Sequence, residues 1–151
     1  MSLRAVVVGV GEPAAGDDGV GRVVLGHLRA AGVAADVELR ALRDPTELVD
    51  LLGGDAPVIV VDAVAGAPAG EVLELSSDEL AARGAANVST HGVGVVQAIE
   101  LARALHGGAV PAIRIVGVGI ERPGRLHAGL SPAVAAAVAG AAGRVRALLG
   151  S

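Results

Sequence analysis

Three widely separated parts of the chain carry residue types able to do chemistry at a shared centre: the adjacent acids Asp17 and Asp18, the acid Asp62, and the triplet Thr90-His91-Gly92. Two carboxylates and an imidazole make an oxygen and nitrogen ligand set suited to a borderline divalent ion such as Ni²⁺ or Zn²⁺, with positions left for water or substrate. Each residue also has a purely structural reading. Asp18 can cap a helix at Gly19, Asp17 can be an accessory residue or a cap, and Asp62 can be a surface acid beyond a strand end. His91 can bond locally at a helix start. Their joint occurrence is what favours a common site. The other histidines point elsewhere: His27 falls on an apolar helical stripe and is expected in the core, and His106 stands beside Gly107 at a helix C-terminus. His127 lies in a charged loop, within reach of a substrate role.

The elements that must position these residues are organised around residues 6–21. An apolar run too short for a helix ends in Gly9-Val10-Gly11, crosses a loop, and delivers Asp17-Asp18 to the start of an amphipathic helix. The glycines resemble a phosphate-binding turn, and Gly9-Val10-Gly11-Glu12-Pro13-Ala14 fits a loose form of the dinucleotide fingerprint. The two acids argue against that reading. Phosphate binds where helix-terminal N–H groups present positive potential, and carboxylates would repel it. A cation fits better.

The chain has 151 residues, 52% of them hydrophobic and 19% charged, so a single ordered domain covering residues 1–151 is expected. Phe, Tyr and Trp are absent and the net charge is −4, which leaves no ring for base stacking and no basic run for phosphates. Nucleic-acid binding is thereby disfavoured. All 12 basic residues are arginine. The lack of any cysteine excludes disulfides, thiolate metal sites and cysteine nucleophiles. Residues 1–4 lead into a strand with no signal-peptide core, so the cytoplasm is the expected compartment. The run 133–143 is too short and too rich in Ala and Gly to suggest a membrane partner.

Taken in order, residues 3–10 read as a buried strand and 19–31 as a helix whose stripe is Val20, Val23, Val24, His27, Leu28 and Ala31. Residues 36–42 alternate as an edge strand. Asp44-Pro45-Thr46-Glu47 supplies a cap, a first-turn proline and an acid for a helix over 45–52, stopped by Gly53-Gly54. Residues 57–64 form a third strand interrupted by Asp62. The short connection 65–69 makes the next strand, 70–75, antiparallel to its predecessor. Ser76 to Glu79 cap a short helix ending near Gly84. His91 opens another with Val95, Ala98, Ile99, Ala102 and Leu105 inward. A fifth strand over 112–119 and a last helix from Ser131-Pro132, with Val134, Val138, Ala141, Val145 and Leu148 inward, complete an α/β domain with a mostly parallel sheet. Ligands of such sheets sit beyond the carboxyl ends of the strands, where the winding direction changes. Asp17-Asp18 and Asp62 both belong at that rim.

The ordered set Val8-Gly9-Val10-Gly11 with Asp17-Asp18-Gly19-Val20-Gly21, Val60-Val61-Asp62-Ala63, Ser89-Thr90-His91-Gly92-Val93-Gly94, Val116-Gly117-Val118-Gly119-Ile120-Glu121 and Gly129-Leu130-Ser131-Pro132 resembles the hydrogenase maturation endopeptidases. The resemblance runs from residue 3 to about residue 149. It implies a three-layer α/β/α domain, a five-stranded mostly parallel sheet with one antiparallel strand and helices on both faces. It also implies an endopeptidase that removes the C-terminal extension of a [NiFe]-hydrogenase large subunit after nickel insertion. Asp18, Asp62 and His91 are then the metal ligands and the catalytic set, nickel arrives with the substrate, and Zn²⁺ or Cd²⁺ can replace it on the isolated protein. Two departures from the family pattern stand out: Glu12 where Asn is usual, and Gly92 where a larger residue is common. Two rival readings are a dinucleotide-binding module and a non-catalytic relative that keeps the fold and binds a hydrogenase subunit.

Overall fold

A computed structural model describes residues 3–11, 16–86, 90–121 and 129–150, with the side chains of 84–86 and 90–93 outside that description. Glu12 and His127, and the side chain of His91, therefore lie outside the described residues. The elements follow as β1 (Ala5–Val10), α1 (Val20–Ala31), β2 (Val37–Leu42), α2 (Leu48–Leu51), β3 (Val58–Ala65), β4 (Val72–Leu75), α3 (Ser77–Ala86), α4 (Thr90–Leu105), β5 (Ile113–Ile120) and α5 (Pro132–Leu149). One five-stranded sheet has the order β2-β1-β3-β5-β4. All neighbours are parallel except β4, which runs antiparallel to β5.

β1 and β3 consist almost wholly of Val, Ile and Ala, and every residue in both is buried. Such runs suit strands covered on two faces, and alternation divides their side chains between two cores. Val7, Ile59, Val61 and Ala63 pack under α1 and α5, whereas Val8, Val60 and Val64 pack under α2, α3 and α4. The expected three layers are present. β2 lies at one edge, as its polar face requires. β4 has the direction its short connection dictates but a different neighbour, because β5 inserts between β3 and β4.

Helix boundaries follow local chemistry. The Ser76 hydroxyl accepts from the Glu79 N–H at 3.1 Å while the Glu79 carboxylate accepts from the Ser76 N–H at 2.9 Å, a reciprocal capping box for α3. Asp44 accepts from the Thr46 N–H at 2.9 Å, but residues 45–47 form a 3-10 turn before the single α turn of α2. α4 closes with the Gly108 N–H on the Arg103 carbonyl at 2.7 Å and Gly107 at φ 65°, so His106 occupies the C-terminal cap as its position suggested.

Two stripes need correction. In α1 the buried residues are Val20, Gly21, Val24, Leu25 and Leu28, whereas Val23, His27 and Ala31 are exposed. The helix is rotated so that Gly21 meets the sheet. A β-carbon there would lie 2.3 Å from the Val61 carbonyl oxygen and 2.6 Å from that of Val10, so the absence of a side chain fixes the contact face. In α4, Val95, Ala98, Ile99 and Ala102 are inward, but Leu105, in the last turn, is 63% exposed. α5 is long and apolar enough by length and composition to cross a membrane, yet one face of it is built into the domain, with Val134, Val138, Ala141 and Val145 in the core shared with α1.

Candidate functional site

The winding direction of the sheet reverses at β1. The chain leaves β1 through α1 to β2 on one side, then returns to β3 on the other, so the carboxyl ends of β1 and β3 part into a crevice. The register places Gly9 opposite Val61, the last residue of β3 paired to β1, and Asp62 follows at the point where the two strands separate. The alternation of β3 sends Asp62 toward the face covered by α2 and α4, between Val60 and Val64.

Asp62 is 3% exposed, and it is the sole charged residue among the buried ones described. One of its oxygens accepts from the Ala63 N–H at 2.8 Å. Burial pushes its carboxyl well above the ordinary carboxylate range; the Ala63 N–H opposes that, and the charge of Asp18 pushes it up further. A surface acid beyond a strand end would show none of this. Asp62 is inside.

Asp18 reaches the same crevice from the 3-10 turn Gly16–Gly19, which packs on β3. The N-cap of α1 is Gly19, the residue after Asp18. The approach of this turn to β1 depends on Gly11, at φ 145°, where a β-carbon would lie 2.5 Å from the Asp18 carbonyl oxygen. The glycines that resemble a phosphate loop therefore let the chain close on itself. Asp17 is held by Ser131. Its Oδ1 accepts from the Ser131 N–H at 2.7 Å and its Oδ2 from the Ser131 hydroxyl at 2.8 Å, joining this turn to the start of α5.

Thr90 and His91 lie in the first turn of α4, the helix that packs on the Asp62 face of β3. Gly94, one turn on, rests on Pro45, where a β-carbon would approach the proline ring to 3.0 Å. Asp18 and Asp62 are thus brought together, and the backbone of His91 starts the helix on the same face. Among the described residues no group of three metal-ligating side chains is assembled. The two carboxylates are two of the three ligands that the family resemblance implies. Their mutual repulsion and the burial of Asp62 make a divalent cation the fitting third party, since it offsets both costs. The partnership of Ser131 with Asp17 leaves no local signal in the sequence, where Ser131-Pro132 marks a helix start and belongs to one of the family motifs.

Fold and crevice together define a three-layer α/β protein that gathers carboxylates at a topological switch point. The model of the hydrogenase maturation protease family, HycI, matches residues 43–147, and the chain belongs to that family of peptidases. Solved structures agree. The hydrogenase maturating endopeptidase HybD from Escherichia coli superposes with a TM-score of 0.82 at 25% identity, covering 97% of this chain and 92% of that one. An endopeptidase from Escherichia coli studied in solution gives 0.84 at 27% identity, with 97% and 92% covered. The [NiFe] hydrogenase maturation protease HybD from Thermococcus kodakarensis, at 23% identity, shares the fold with a TM-score of 0.73 over 97% and 99% of the two chains. No curated protein sequence is matched.

Proposed function

We propose that this peptidase removes the C-terminal extension of a [NiFe]-hydrogenase large subunit after nickel insertion, and that Asp18, Asp62 and His91 recognise the nickel carried by that substrate. The observation that supports this most directly is the buried Asp62 facing the charge of Asp18 in the crevice between β1 and β3. Burial and the charge of Asp18 both disfavour an ionised Asp62, and a cation arriving in the crevice offsets both, so docking of a nickel-loaded subunit relieves an unfavourable burial. Nickel bound on one side by soft substrate ligands can accept oxygen and nitrogen donors on the other, which fixes the scissile bond near the crevice. A precursor lacking nickel offers no such anchor.

In this reading a water activated close to the carboxylates performs the hydrolysis, in keeping with a sequence that has no cysteine and no recognisable serine triad. The cytoplasm is the compartment this reading assigns. Asp18→Ala, Asp62→Ala and His91→Ala, each mixed with nickel-loaded and nickel-free large subunit and followed by the mass of the subunit, test it. Loss of the mass shift in all three is expected. Unimpaired processing by all three overturns the reading.

A further inference from the structure

Ser131 sits at the N-cap of α5 with extended backbone, φ −63° and ψ 157°, and its side chain makes no cap bond to its own helix. Serine at this position ordinarily stabilises its helix by about 1 kcal/mol through such a bond. Here the hydroxyl turns instead to an acid 114 residues earlier in the chain, and so does the backbone N–H. Two donors on two oxygens fix the plane of the Asp17 carboxylate as well as its position. Asp18 is the next residue along, and the close fit of Gly11 against the Asp18 carbonyl restrains its backbone as well.

We propose that Asp17 is a positioning residue: through Ser131 it locks the turn Gly16–Gly19 to the start of α5 and so sets where Asp18 stands relative to Asp62. The proposal rests on the reading that Asp18 and Asp62 receive the metal. The contact ties the turn after β1 to the start of α5, so α5 acts as a fixed support for the segment that carries Asp18. Outer partners of this kind govern metal affinity by holding the ligand in place.

The test is the affinity of the full chain for Ni²⁺ alone, measured by calorimetry beside the melting temperature. Asp17→Ala and Ser131→Ala are each expected to weaken Ni²⁺ binding by about tenfold to a hundredfold. The double variant should bind no worse than the weaker single one, because both remove a single contact. Ser131→Thr keeps the hydroxyl and should retain the original affinity. Val145→Ala, deep in α5, should lower the melting temperature and leave affinity unchanged. If Asp17→Ala does not fold, the contrast between Ser131→Ala and Ser131→Thr carries the same test. Unchanged affinity in Asp17→Ala and Ser131→Ala beside a loss in Asp18→Asn overturns the proposal while sparing the crevice. Additive losses, or a loss in Val145→Ala, overturn it as well. Affinity indifferent to Asp18→Asn removes the crevice reading, and the proposal falls with it.

Discussion

The crevice between β1 and β3 and the corner where α5 begins draw on adjacent residues of one turn, yet they treat their acids in opposite ways. At the corner, both oxygens of Asp17 receive hydrogen bonds from Ser131, one from the backbone and one from the hydroxyl. In the crevice, Asp62 is removed from water and faces a second negative charge. The first arrangement stabilises the fold. The second works against it, and a chain tolerates such a cost where the group has work to do with something not yet bound. Acids of the two regions are therefore told apart by their surroundings, a pair of donors from Ser131 at the corner and burial beside a like charge in the crevice.

The comparison is broken most decisively at Asp62. Asp62→Ala should lower processing of nickel-loaded large subunit by more than about a hundredfold, beyond the loss typical of outer partners, as read by the rate of the mass shift. Next in size is Gly21→Ala, which forces a methyl group against two backbone carbonyls at the floor of the crevice. It should cost about 1–3 kcal/mol in denaturant unfolding. Asp62→Asn separates function from stability: it should remain inactive yet raise the stability of the metal-free chain at neutral pH by about 1–3 kcal/mol, the scale of a buried polar group's desolvation.

That gain has a definite pH dependence. A carboxyl whose folded value is raised takes up a proton on folding, so its contribution is full below the unfolded value of about 3.9 and is lost as pH rises through the folded value. The melting temperature of Asp62→Asn minus that of the natural chain should therefore grow from acid toward neutral pH; a flat difference would contradict the burial cost of Asp62. The smallest effect sharpens the contrast with Gly21. On the same helix, nothing lies within 4 Å of a β-carbon added at Gly26. Gly26→Ala should stabilise the chain by about 0.8–1 kcal/mol through helix propensity alone, with processing unaltered.

Much of the fold was legible because composition and position agree. Val-rich runs without alternation signal strands covered on both faces, and Asp62 interrupting one of them marks the rim. The antiparallel direction of β4 follows from a connection too short for a crossover. Its partner does not, since pairing with a strand some forty residues later leaves no trace in local pattern. The rotation of α1 was equally hidden. A count of apolar residues favours Val23 and includes His27, but the inward face is set by Gly21, which contributes contact by having no side chain. Likewise, residue type placed both Asp17 and Asp18 near the site, and only the three-dimensional meeting with Ser131 assigns one to the corner and one to the crevice.

The position of β5 has a consequence for the order in which the molecule is built. Residues 113–120 fill the slot between β3 and β4, and Gly117 stands beside Asp62 in that pairing. Until residues 113–120 emerge, β3 has no partner on that edge and β4 has no neighbour in the sheet at all. Contacts between segments so far apart in sequence form late. The strand that carries Asp62 is thus completed by the last strand to be synthesised, which is also the one that joins β4 to the sheet.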